Sequence, residues 1–115
     1  MKEAYVSYEV AKLLKEKGFD WDTDKVYERS LMAYRYEDYP MPTQVMACDW
    51  LKEEKGIYIS VVPDFNEYGE YPDDLYWFAR VYDLIKGDYI HSTKLCVSSQ
   101  EAFETAIQYV LTNLI

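Results

Sequence analysis

From Ile57 to Cys96 the chain runs through three strand-like segments with no helical period between them. Ile57-Tyr58-Ile59-Ser60-Val61-Val62 is rich in β-branched residues and stops at Pro63. Leu75 to Tyr82 reads as a second strand. Lys86-Gly87-Asp88 spells a turn, and Tyr89 to Cys96 returns as a third strand. Three successive strands with short connections fold as an antiparallel meander, because parallel pairing needs a long crossover.

The helices lie outside that run. Ser7 is a good N-cap for a helix over 8–17, with Val6 before it and Val10, Leu13 and Leu14 on one face. Gly18 suits the left-handed residue that ends a helix, and it places Phe19 against Leu14. Thr43 opens a second helix over 44–55, with Ala47, Trp50 and Leu51 on one face and Gly56 at its end. Ser98 opens the last helix, and Glu101 stands three residues on, as in a capping box. Ala102, Phe103, Ala106, Ile107, Val110, Leu111 and Leu114 keep its apolar period.

Residues 20–40 read two ways. Leu31 to Tyr36 fits a short strand, whereas Val26, Tyr27, Ser30, Leu31 and Tyr34 fit a helical face. Pro40 and Pro42 then punctuate the chain. The order is α-(β)-α-β-β-β-α. The expected fold is a single α+β domain over 1–115: two layers, with three helices packing a three-stranded antiparallel sheet and residues 31–36 offering a fourth strand.

Charge narrows the function classes. Lys plus Arg is 12 against 21 Asp plus Glu, a formal net charge of −9, which repels nucleic-acid phosphates and anionic membranes. No apolar run approaches the ~20 residues of a membrane span. The first residues lack the apolar core of a signal peptide, and Cys48 and Cys96 form no CxxC. A cytoplasmic, reduced chain is expected.

The motifs of chemistry are weak. Asp20-Trp21-Asp22-Thr23-Asp24 opens like a calcium loop, but Lys25 and Leu31 occupy the positions that need a tight turn and a bidentate Glu. A solvated turn is the better reading. His91 is the one histidine, and on a strand it would lie on the face opposite Cys96, five residues on. That argues against a Cys–His pair or a shared metal. Cys48 could reach His91 only through the fold. The glycines (18, 56, 69 and 87) stand apart, so there is no phosphate-cradling loop. The Asp73-Asp74 pair reads as a solvated loop edge. No catalytic residue, metal site or cofactor is expected, and an enzyme is the lesser reading.

Tyrosine is the more telling signal, at 13 of 115 residues. Strand alternation puts Trp77, Ala79 and Val81 on one face with Ile57, Ile59 and Val61. Tyr58, Tyr76, Phe78, Arg80 and Tyr82 fall on the other. Aromatics with an arginine are the residues of contact hot spots, and such a face is too apolar to stay bare. Its expected cover is residues 20–40, a second copy of the chain, or a foreign protein. Beside it, Asp64, Glu67, Glu70, Asp73 and Asp74 make an acidic loop suited to a basic protein surface. Single-stranded nucleic acid stacked on the rings is the alternative, with Arg80, Lys94 and Arg35 as its only cations.

The pieces together resemble a group of small uncharacterised proteins encoded by phages and prophages of gut bacteria. The likeness rests on Lys17-Gly18-Phe19-Asp20, on Pro42-Thr43-Gln44 leading to Trp50-Leu51-Lys52-Glu53, and on Ile57-x-Ile59. The aromatic strand 76–78, Glu101-Ala102-Phe103 and Asn113-Leu114-Ile115 complete it. It covers most of the chain. Residues 20–40 and the acidic loop depart most from it. The resemblance brings no assigned activity or site residue. It implies an intracellular protein of a mobile element that acts on host proteins.

Overall fold

The computed structural model describes residues 4–23, 25–27, 39–64 and 76–115. The expected strand over 31–36 lies outside these. The elements are α1 (Tyr8–Glu16), β1 (Val26–Tyr27), β2 (Tyr39–Pro40), α2 (Gln44–Lys55), β3 (Ile57–Asp64), β4 (Tyr76–Asp83), β5 (Asp88–Ser92) and α3 (Ser99–Asn113). β3, β4 and β5 form an antiparallel sheet in that order, and β1 pairs with β2 in a separate short ladder. Val26 and Tyr27 are therefore extended, which removes them from the helical face that residues 26–34 also suggested.

Each helix begins where its capping residue stands. The hydroxyls of Ser7, Thr43 and Ser98 accept hydrogen bonds from Val10, Met46 and Glu101 N–H at 3.2, 3.1 and 3.1 Å. Glu101 does reach back, but its carboxylate accepts from Val97 N–H, at 3.2 Å, one residue before the cap. Lys17 is the cap of α1 rather than its last turn. Gly18 follows at φ 98°, and Phe19 N–H returns to Leu14 C=O at 2.9 Å, the expected Schellman ending.

One core joins the three helices to one face of the sheet. It takes Val10, Ala11 and Leu14 from α1, and Ala47, Trp50 and Leu51 from α2. The sheet adds Ile57, Ile59, Ala79 and Val81, and α3 adds Ala102, Ala106, Ile107, Val110 and Leu111. Phe19 packs edge-on against Trp50 at 5.5 Å. The odd-numbered residues of β3 and β4 face the helices, as the alternation requires. The result is a two-layer α+β domain.

The strand ends depart from the expected ones. β3 continues through Pro63, opposite Trp77, to Asp64, opposite Tyr76. Proline is tolerated because β3 is an edge strand among the described residues, so Pro63 needs no ladder donor on its outer side. Asp64 thus belongs to the sheet and not to the loop. β5 ends at Ser92, and Cys96 meets Trp77 only through an isolated bridge. Leu75 lies outside the described residues, and β4 runs on to Asp83.

Candidate functional site

The register of β3 on β4 sets Tyr58 opposite Tyr82, Ser60 opposite Arg80, Val62 opposite Phe78 and Asp64 opposite Tyr76. Directly opposed residues share a face. Tyr58, Tyr76, Phe78, Arg80 and Tyr82 therefore come together on one side of the sheet, away from the helices. Tyr58 and Tyr76 are 42% and 40% exposed, Arg80 is exposed, and Phe78 and Tyr82 are half-buried. The Arg80 guanidinium lies 5.2 Å from the centre of the Phe78 ring, a cation–π contact worth ~0.5–1 kcal/mol at an exposed position.

A further residue joins them. Between Val81 and Tyr82 the register on β5 shifts, from Val81 opposite His91 to Tyr82 opposite Tyr89. Ile90 is the extra residue of this bulge and packs toward the core. Tyr89 is thereby turned to the open face, 56% exposed. Tyr58, Tyr82 and Tyr89 form a row across all three strands, with ring centres 6.2 and 5.9 Å apart. The Tyr89 hydroxyl donates to Ser92 Oγ at 2.7 Å. Alternation counted from Cys96 could not place Tyr89, because the bulge breaks the period. The turn at Gly87, φ 72°, was the one local cue that counting should start there.

Beside the tyrosine row lies a shallow depression of about 380 Å³ lined by Tyr58, Ser60, Tyr82, Asp83, Leu84 and Gly87. Its one carboxylate is occupied. Asp83 Oδ1 accepts from the N–H groups of Ile85 and Lys86 at 2.9 and 3.1 Å, which fixes the β4–β5 turn. Asp83 thus serves the turn through one of its two carboxylate oxygens.

Of the acidic loop only Asp64 is described, at the end of β3. Glu67, Glu70, Asp73 and Asp74 lie outside the described residues.

His91 and Cys96 do not face opposite ways. The His91 ring stacks on Tyr109 of α3 at 3.8 Å and 9°, and Cys96 Sγ lies 4.0 Å from Thr105 Oγ1, one turn earlier on the same helix. Thr93 N–H bonds Ala79 C=O and Cys96 N–H bonds Trp77 C=O, so three residues on one chain match two on the other. That extra residue reverses the parity on which the opposite-face reading rested. Cys96 Sγ lies 3.4 Å from Lys94 C=O and is buried. Cys48 is held as a thiol: burial first, and then the neighbouring Asp49 charge, push its pKa up to about 12. A thiol so hard to ionise is a poor nucleophile and a poor metal ligand at neutral pH.

In the expected turn at 20–24, Trp21 folds back toward Phe19, ring centres 6.2 Å apart, and Thr23 Oγ1 donates to Lys25 C=O at 2.7 Å. Among the described residues no three His, Cys, Asp or Glu side chains converge as a metal site would require. No described helix is long and apolar enough to cross a membrane.

Fold and surface together define a class: a small α+β protein whose sheet is roofed by helices on one side and lined by aromatic rings on the other. No family model, curated protein or solved structure matches the chain.

Proposed function

We propose that this chain is a non-enzymatic protein-interaction module whose binding surface is the aromatic sheet face. One observation carries the reading. α2 and α3 pack on the face that carries the odd-numbered residues of β3 and β4, with α1 behind α3, while Tyr58, Tyr76, Phe78, Arg80, Tyr82 and Tyr89 occupy a face that no described element roofs. Tyrosine and arginine supply large contact area with polar tips, the composition of interface hot spots. Arg80 is the face's one cation among the described strands, and the net charge is −9, so a protein partner fits better than a nucleic acid. In the phage or prophage setting that the resemblance implies, the partner is a protein of the host cell.

The test is affinity capture from host lysate with the native chain and with a Tyr76→Ala, Phe78→Ala, Tyr82→Ala variant, both checked for fold by circular dichroism. A partner retained by the native chain and lost by the variant supports the reading. Identical capture by both removes the sheet face as the surface. A gel shift with single-stranded oligonucleotides at low salt, abolished by the same variant, would transfer the face to nucleic-acid binding.

A further inference from the structure

Among the described residues the sheet has two edges, β3 and β5, and they are not alike. β5 is short, bulged at Ile90 and broken after Ser92, all features that discourage pairing. β3 runs for eight residues and carries no charge before its last one.

The hydrogen bonds of β4 fix which backbone groups of β3 point outward. Trp77 exchanges both of its bonds with Cys96, at 2.8 and 2.7 Å. Ala79 C=O accepts from Thr93 N–H, and Ala79 N–H donates to Thr93 Oγ1, each at 2.9 Å. The odd residues of β4 thus serve the β5 side, and its even residues serve β3. By the register, Tyr58, Ser60 and Val62 spend their N–H and C=O on β4. Ile57, Ile59 and Val61 aim theirs at the free edge, where no described residue meets them. Pro63 is next in that outward series and has no N–H to offer.

We propose that β3 pairs with β3 of a second copy, antiparallel about a two-fold axis at Ile59. The register places Ile59 against Ile59, and Ile57 against Val61 of the second copy. Every outward N–H and C=O of these three residues then finds a partner. Sliding by two residues one way sets Pro63 against Ile57 and loses donors. Sliding the other way runs the pairing into α2. No charge lies along the paired run from Ile57 to Pro63, so no like charges meet across the axis. On the open face the same register sets the large Tyr58 ring beside the small Ser60. The two aromatic faces would join into one six-stranded face. The pairing uses backbone groups rather than the rings, so it stands apart from the partner-binding reading.

Sedimentation across a micromolar concentration range, on the full chain, tests the idea. The native chain is expected to pass from monomer to dimer. Val61→Pro removes one outward donor on each copy and leaves the β4 ladder intact. Ser60→Lys puts two lysines near the axis. Both should stay monomeric while keeping the native circular-dichroism spectrum, and Ser60→Lys keeps the test valid if Val61→Pro unfolds. Register is read separately by mixing Tyr58→Cys chains with Ser60→Cys chains under mild oxidation. The expected product is a disulfide heterodimer, formed well ahead of either homodimer. A native chain that stays monomeric throughout, a folded Ser60→Lys variant that dimerises as the native does, or cross-linking without preference for the mixed pair overturns the proposal. None of these outcomes touches capture of a partner by the face.

Discussion

Gln44 is the first residue of α2 and is only 5% exposed, an unusual place for a polar side chain. Its Nε2 donates to Gln100 C=O at 2.8 Å and lies 3.5 Å from Glu104 Oε2. The other oxygen of Glu104 accepts from Ser7 N–H at 2.9 Å. One amide and one carboxylate thus tie together the starts of α1 and α2 and the first turns of α3. Gln44→Glu tests this tie with almost no change of shape. It replaces the donor by an acceptor that faces two other acceptors. At 3.5 Å, two carboxylates repel by about 4–5 kcal/mol with an effective dielectric of ~20. Losing the bond to Gln100 costs about 1 kcal/mol more. The start of α2 returns ~0.3–1 kcal/mol, because a helix N-terminus favours an anion. A net loss of about 4–6 kcal/mol is a large share of the stability of a domain this size, roughly 5–15 kcal/mol.

The pH dependence is the sharper part of that prediction. The repelling environment raises the folded-state pKa of the introduced carboxyl above its unfolded value of about 4.3. Below that value the group is protonated in both states and can donate again, so the defect shrinks. As pH rises through the folded-state pKa the defect grows to its full size. Urea denaturation of the native and variant chains between about pH 4 and pH 7 measures it. A variant within about 1 kcal/mol of the native chain at neutral pH, or a gap that does not change with pH, refutes the tie.

Three further outcomes follow from single features. Cys48, with its pKa near 12 against an ordinary 9.0, should alkylate ~10³-fold more slowly than a free thiol at pH 8, and as fast as one after unfolding in urea. Its linkage has a definite sign: the folded chain keeps the proton longer, so this group lowers stability as pH rises from 9.0 toward about 12, and Cys48→Ala should flatten that part of the profile. Gly56→Ala should cost about 1–2 kcal/mol by thermal melting, because φ is 66° and the added carbon would sit 2.9 Å from the Ile85 side chain. Ile85 is 84% exposed and can move aside, so pairing with Ile85→Ala should recover only a small part of the loss. His91→Ala should remove the stack on Tyr109 and lower stability by ~0.5–1.5 kcal/mol, with no change in partner capture, since the ring lies on the helix side.

Legibility in the sequence followed the range of the forces involved. Caps were readable because Ser7, Thr43 and Ser98 act on residues three positions away. The two faces of β3 and β4 were readable because alternation is local to a strand. Failures began where pairing decides. Whether Pro63 ends a strand depends on whether the strand lies at an edge, which no local signal states. The parity of His91, Cys96 and Tyr89 depends on two extra residues in the β5 segment, and these show only against β4. The clamp of Gln44 on Glu104 spans 60 positions and has no local trace at all.

The residues chosen for the open face bear on the kind of partner proposed. A face meant for permanent cover would carry leucine and isoleucine, as the helix side of the same strands does at Ile57 and Ile59. Here the exposed rings are tyrosines, whose hydroxyls can meet water or bond locally, as Tyr89 does with Ser92. Phe78 has no such tip, and it is the ring that Arg80 covers. Each ring thus has a way to remain in water, so the face can exist without its partner. Much of its area is still apolar and is released from water on contact. That combination suits association that forms and breaks rather than an obligate interface, whose core would be more apolar. It also predicts the shape of the energetics. Phe78→Tyr should keep binding and fold alike, whereas Arg80→Ala should bare the Phe78 ring and lower the solubility of the free chain before it changes stability.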